Sequence, residues 1–87
     1  MEKKRAVGIK YGSNDSKVPI VNAKGIGSVA DKIIEIAEEN EIPVYVDTDL
    51  IELLMVLELN QEIPAELYKA VAEVLAFVYK LNKKESV

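Results

Sequence analysis

An 87-residue chain has room for one core, at a size where folding withdraws only about 60–65% of the surface from water. Apolar residues at 49% and charged residues at 30% rule out a disordered tail and indicate a soluble globular domain; without cysteine there is neither a disulfide framework nor thiolate chemistry. The net charge of −4 is unevenly spread: residues 1–24 carry six Lys/Arg against two acids, residues 25–66 one Lys against eleven acids, and residues 67–87 four Lys against two acids, and the acidic middle argues against nucleic acid as a partner.

In chain order, residues 5–11 alternate loosely, with Val7, Ile9 and Tyr11 set against Ala6, Gly8 and Lys10, and predict a first strand. Residues 12–17 are dense in turn formers and close it. A second strand is predicted over 18–23, with Pro19 near its start, where a missing ladder donor is tolerated. A helix follows the turn at Gly25 and Gly27. Ser28 and Asp31 have the spacing of a capping box, and Ile26, Val29, Ala30, Ile33 and Ala37 share one face of a helix ending near Asn40.

Residues 42–46 (Ile-Pro-Val-Tyr-Val) read as a third short strand, so that strand, helix and strand form one βαβ unit. Asp47, Thr48 and Asp49 supply the N-cap and first-turn acids of a second helix. Leu50, Leu53, Leu54 and Leu57 form its stripe, and Ile51, Met55 and Val56 make it apolar nearly all round, which predicts burial on more than one side. Pro64 suits the first position of a last helix, whose inner face is Leu67, Val71, Val74, Leu75, Val78 and Leu81. The expected architecture is a single α/β domain over 1–87: a small mixed sheet of about three strands, containing one βαβ unit and packed by three helices. Residues 1–4 and 82–87 are expected to be flexible ends.

No constellation for catalysis is visible. Neutral-pH chemistry usually recruits His, Cys or a carboxylate of raised pKa, and the chain has neither His nor Cys. Ser13, Ser16, Ser28 and Ser86 fall in loops, a cap and a tail, with no base nearby. The Gly25-Ile26-Gly27 turn lacks the remainder of a phosphate-binding motif and reads as entry into the helix. Glu38, Glu39 and Glu41 with Asp47 and Asp49 lack the spacing of a calcium loop and read as solvated faces and caps. No metal and no cofactor is expected. The basic start (Lys3, Lys4, Arg5) precedes no apolar core of a signal peptide, and the apolar runs 53–57 and 75–79 fall far short of the roughly 20 residues that span a bilayer. Direct membrane insertion is therefore not expected, and a cytoplasmic location is the default.

Four segments, in order, resemble the cytoplasmic domain of the FlhB/YscU family, the specificity-switch proteins of flagellar and type III secretion export. They are 6–11 (Ala-Val-Gly-Ile-Lys-Tyr), 18–25, 33–46 with its Ile36-Ala37-Glu38-Glu39-Asn40 and Ile42-Pro43-Val44, and 61–79 (Gln-Glu-Ile-Pro-Ala-Glu-Leu-Tyr onward). The resemblance implies a non-enzymatic protein-interaction domain, associated with protein export and substrate-specificity switching. Its partners would be components of the export apparatus or export substrates. It would be cytoplasmic and recruited to the inner face of the membrane by the export gate. In register, the family's Asn-Pro-Thr-His cleavage motif falls on Met1, Glu2, Lys3 and Lys4, which cannot perform the Asn cyclisation, so self-cleavage is not expected.

The family also carries a strand before the motif, which implies that the strand here is an exposed edge. Arg5, Val7, Ile9, Lys10 and Tyr11 are therefore candidate partner-binding residues, open to β-augmentation by a partner or to self-association with a second copy. Lys3, Lys4, Arg5 and Lys10 read equally as charges protecting that edge. A second departure is Asp47, Thr48, Asp49 and Glu52, which stand where the family tends to carry an Asn-Pro-Pro-Leu-Ala-Arg-like segment. This motivates the alternative of a regulatory binding module with the same fold and unrelated partners.

Overall fold

The computed structural model describes residues 3–11 and 18–85, with side chains through 78. Two strands, β1 (Arg5–Lys10) and β2 (Ile20–Ile26), pair antiparallel. The predicted turn at 12–17, with Ser13 and Ser16, lies outside the described residues, as do Met1, Glu2 and Ser86. The register runs Arg5 opposite Ile26 to Gly8 opposite Ala23, then slips so that Ile9 faces Val21. Asn22 is the extra residue of a β-bulge. Because opposed residues share a face, Arg5, Val7 and Ile9 stand with Ile26, Lys24 and Val21, while Ala6 and Gly8 stand with Gly25 and Ala23. The bulge is what brings Val21 to the side of Lys24, three residues away.

The first face carries the core. Val21, Leu50, Leu54, Leu57, Ile63 and Val71 are buried together, with Val7, Ile9, Leu67, Ala70, Val74 and Leu75 packed against them. Full burial of a side chain such as Ile63, Val21 or Val71 contributes about 1.5–3 kcal/mol each. Besides Val7, Ile9 and Val21 of the strands, these residues come from α2 (Thr48–Leu54), the segment 57–63 and α3 (Tyr68–Glu85) with the 3₁₀ turn (Ala65–Leu67) that leads into it. The other face of the sheet is covered by α1 (Ser28–Glu39), which buries Ala30. Gly25 permits that contact: a Cβ there would overlap Val29 Cγ1 and come within 2.9 Å of Val29 Cβ. The α/β class with three helices holds, as helices on both faces of a small sheet.

The third strand does not form. The sheet has two strands, β1 beside β2, and residues 42–47 carry no ladder. The βαβ unit is therefore absent, for two physical reasons. Pro43 has no N–H to give a ladder. The second edge of β2 is already occupied by the chain after α2: Asn60 N donates to Val21 O at 2.7 Å, Val21 N to Gln61 O at 3.0 Å and Ile63 N to Pro19 O at 2.9 Å, with a bridge between Ile20 and Glu62. Residues 42–47 instead leave α1 through a Schellman-type end. Glu41 takes a left-handed φ of 57°, Glu41 N donates to Glu38 O, and Ile42 N donates to Ala37 O. Tyr45 then rests edge-on against Phe77 of α3, with ring centroids 5.1 Å apart.

Smaller expectations are also revised. The Ser28–Asp31 capping box is not made: Gly27 is the N-cap at φ 64°, no side chain caps the helix, and Asp31 pairs with Lys4 Nζ at 2.9 Å. Asp47 does cap α2, accepting from Leu50 N at 3.0 Å. Pro64 is the N-cap of the 3₁₀ turn instead of the first residue of α3. Val29 and Ile26, expected on the inner face of α1, are half exposed. α2 is buried on one side only, with Leu53 half exposed, and it stops at Leu54, so that Val56, 80% exposed, and Leu57 lie beyond the helix on which they were expected. α3 continues through Glu85.

Candidate protein-docking site

Two features of the same region offer themselves to a partner. The first is the outer edge of β1. Among the described residues, β1 has one ladder neighbour, β2, and no backbone hydrogen bond reaches its other side. An edge of this kind offers unpaired N–H and C=O groups to an added strand. Val7 and Ile9 lean into the core, so what they present outward is backbone. The charges around the edge are partly engaged: Arg5 Nη2 lies 3.9 Å from Glu52 Oε1, and Lys4 meets Asp31, while Lys3 and Lys10 are exposed. Exposed pairs of this type contribute about 0–1 kcal/mol, so they leave the edge free to exchange partners.

The second feature is a pocket of about 200 Å³ where the end of β1, the start of β2 and the first turns of α3 converge, lined by Tyr11, Pro19, Tyr68, Val71, Ala72 and Leu75. Its position follows from the ladder that ties Pro19 O to Ile63 N, which delivers the chain into α3 directly beneath β2. Val71 and Pro19 form a buried floor, and Tyr11 and Tyr68, 54% and 43% exposed, form the rim. The volume is below the roughly 300–1,000 Å³ of ordinary ligand sites. No carboxylate or amine enters the lining, so the cavity suits one apolar side chain, with two phenols able to hydrogen-bond an adjacent backbone.

The structure brings only part of the predicted site together. Tyr11, predicted as part of the edge strand, lies just beyond it and belongs to the pocket; Tyr68, read as cover for the core rim, is its opposite wall. Asp47, Thr48, Asp49 and Glu52 lie on α2, away from the pocket, and Asp47 is committed to its cap. Pro19, Ala72 and Leu75 had no sequence signal as site residues, because apolar residues at helical spacing are indistinguishable from core until the covering element is known. Lys24 was missed as well. Its Nζ donates to Leu57 O at 2.7 Å and Met55 O at 3.1 Å, fastening the carboxyl end of α2 to the sheet.

Among the described residues, no helix is long and apolar enough to cross a membrane, and no group of three or more acids could hold a metal ion.

The sequence and the fold have relatives. The chain is 40% identical over 80 residues to the uncharacterised protein YlqH of Bacillus subtilis (strain 168), a match covering 92% of this chain and 86% of YlqH. It is 44% identical over 80 residues to the flagellar biosynthetic protein FlhB of Aquifex aeolicus (strain VF5), covering 91% of this chain and 23% of that protein. The chain thus spans about a quarter of the length of that FlhB. The crystal structure of the cytoplasmic domain of FlhB from Shewanella putrefaciens superposes with a TM-score of 0.88 at 38% identity, over 94% of this chain and 64% of that one. The family model of FlhB, HrpN, YscU and SpaS matches residues 3–78, which takes in both strands, α1, α2, the 3₁₀ turn and the pocket-bearing part of α3. With nearly its whole folded length accounted for in this way, the chain belongs to the FlhB/HrpN/YscU/SpaS family.

Proposed function

We propose that this chain is a non-enzymatic protein-interaction domain of flagellar or type III export, acting in the cytoplasm at the inner face of the membrane in the manner of a cleaved FlhB cytoplasmic domain. The carrying observation is the pocket at the Tyr11 end of a strand whose outer edge is open among the described residues, in a chain that matches flagellar biosynthetic proteins over nine-tenths of its length. A partner segment would lie extended along Arg5, Val7, Ile9 and Lys10 by main-chain hydrogen bonds and seat one apolar side chain between Tyr11 and Tyr68. Its sources would be export-apparatus components or export substrates. Substrate-specificity switching is the role this docking would serve, without self-cleavage, since Met1 stands where the reacting Asn would be.

The test is capture from the lysate of a flagellated cell by the intact chain and by Ala72→Glu, which places a carboxylate in the pocket. Recovery of export proteins by the first and their loss from the second is the expected result. Recovery of none, or equal recovery by both, overturns the proposal. A polypeptide whose mass falls on standing through cleavage near Lys4 would overturn the non-enzymatic part.

A second reading, a regulatory module with the same fold and unrelated partners, draws on Asp49 and Glu52, which make acidic a surface where the family tends to be basic.

A further inference from the structure

Residues 43–47 have the composition of a strand and the hydrogen bonding of none. Val44, Tyr45 and Val46 are β-branched and aromatic types that favour strands, yet among the described residues the N–H groups of 44–47 find no partner, and Val46 is 83% exposed. β1 has the matching open edge. Gly27 N donates to Lys4 O at 2.7 Å and Arg5 stands opposite Ile26, so the alternation of an antiparallel ladder turns the N–H and C=O of Arg5 and Val7 away from β2.

The path of the chain sets these two backbones side by side. α1 covers one face of the sheet and α2 the other, so the segment joining them rounds an edge. The far edge of β2 holds residues 60–63, whereas α2 packs on β1, and Glu52 Oε1 lies 3.9 Å from Arg5 Nη2. Residues 42–47 therefore pass along the outer side of β1. Their direction follows from α1, which starts beside Lys4 and rises about 18 Å over its 12 residues toward the Lys10 end. Extended, 42–47 return roughly 20 Å toward Arg5, antiparallel to β1 and matched to its 6 residues.

Tyr45 sets the register. Its ring rests on Phe77 of α3, on the core face that Arg5, Val7 and Ile9 share. Placing Tyr45 opposite Val7 keeps that contact and sets Asp47 against Arg5, an attractive pair. Pro43 then falls opposite Ile9 at the first position, where a missing N–H is tolerated.

We infer that residues 43–47 are a strap that closes on the outer edge of β1 as an antiparallel strand, with Tyr45 opposite Val7, and that a partner strand must displace it. The arrangement described above is the open one, with the Tyr45–Phe77 contact holding the strap beside its edge. The closed one shields an edge that would otherwise pair with stray strands. The strap regulates the docking edge proposed above, and in that respect it rests on that reading.

NMR of the intact chain tests closure with no partner present. In this register Ala6 and Val46 form a non-hydrogen-bonded pair, with Cα atoms about 4.5 Å apart, so a contact between their Hα protons is expected. The Val7 amide, bonded to Tyr45 O in the closed form, should exchange about tenfold or more slowly than in Tyr45→Pro, which lacks both the ring and the N–H that hold the strap. Absence of the Ala6–Val46 contact overturns the inference, as does a Val7 amide equally fast in the two chains. Protection of Val7 that fades on dilution would place a second copy on the edge and overturn it too. Should Tyr45→Pro unfold, the Hα contact and the dilution series decide alone. Failure to capture export proteins would count against the docking reading only, since none of these measurements uses a partner.

Discussion

The core around Val21, Ile63 and Val71 and the stretch from 42 to 59 are built from the same kinds of residue, yet only one of them is dry throughout. Around Ile63, three chain segments arrive from different parts of the sequence, and each supplies both apolar side chains and backbone partners: the edge of β2 takes residues 60–63, and α3 closes over the result. Between 42 and 59 the chain has similar apolar density, but just one flank, the Leu50, Leu54 and Leu57 side, finds a cover. Ile42, Val44, Tyr45, Val46, Leu53, Val56 and Leu59 are all 45% exposed or more. The contrast teaches that apolar content sets what could be buried, whereas convergence of distant segments sets what is.

Substitutions separate the two regions by size of effect. Ile63→Ala, at 1% exposure in the covered region, should cost about 2–5 kcal/mol, a large part of the roughly 5–10 kcal/mol expected of the whole domain, as read by urea unfolding. An effect under about 1 kcal/mol would mean the core is looser than it looks. Gly25→Ala drives a methyl group into Val29 and Ile33 and should lower stability by about 1–3 kcal/mol, visible as a fall in Tm. Lys24→Met keeps the aliphatic stem but loses both bonds to the end of α2. It should cost about 1–2 kcal/mol, with faster hydrogen exchange in α2 than in α3.

In the uncovered stretch the expected changes are smaller or of opposite sign. Glu41→Gly should stabilise by roughly 0.5–1 kcal/mol, because a left-handed Cβ costs about 1–2 kcal/mol and glycine returns part of that gain to the unfolded chain. Val56→Ser should lie within about 0.5 kcal/mol of the parent in the same urea titration. A drop of 2 kcal/mol or more there, on the order of a core truncation, would show that Val56 is covered in solution and erase the contrast.

Much of the local structure was legible in the residues. The turn-dense 12–17 region and the alternation of 5–11 placed a strand pair, although β2 runs three residues later than expected because Gly25 and Ile26 pair with Ala6 and Arg5. Asp47 announced its own cap, since that bond closes within three residues. Ser28 announced a cap that is not made, because Gly27 enters the helix with its N–H on Lys4 O at 2.7 Å and Asp31 is drawn to Lys4. In the candidate docking region the strand carrying Arg5, Val7, Ile9 and Lys10 was foreseen. The pocket was not: Tyr68, Ala72 and Leu75 share one helical face, but no spacing rule joins them to Tyr11 and Pro19.

Helices, the Asp47 cap and the family likeness are local or pattern properties, and the amino-acid order alone specified them, because hydrogen bonds three or four residues apart and the 3.6-residue period are written in short windows. The fate of 42–46 as an unpaired segment, the exposure of Leu53 and Val56, the bulge that turns Val21 toward the core and the pocket above Val71 were decided by the folded chain. Each depends on which distant segment reaches an edge or face first: residues 60–63 hold the second edge of β2, so 42–46 cannot pair there, and nothing further in the described chain lies over the outer side of α2.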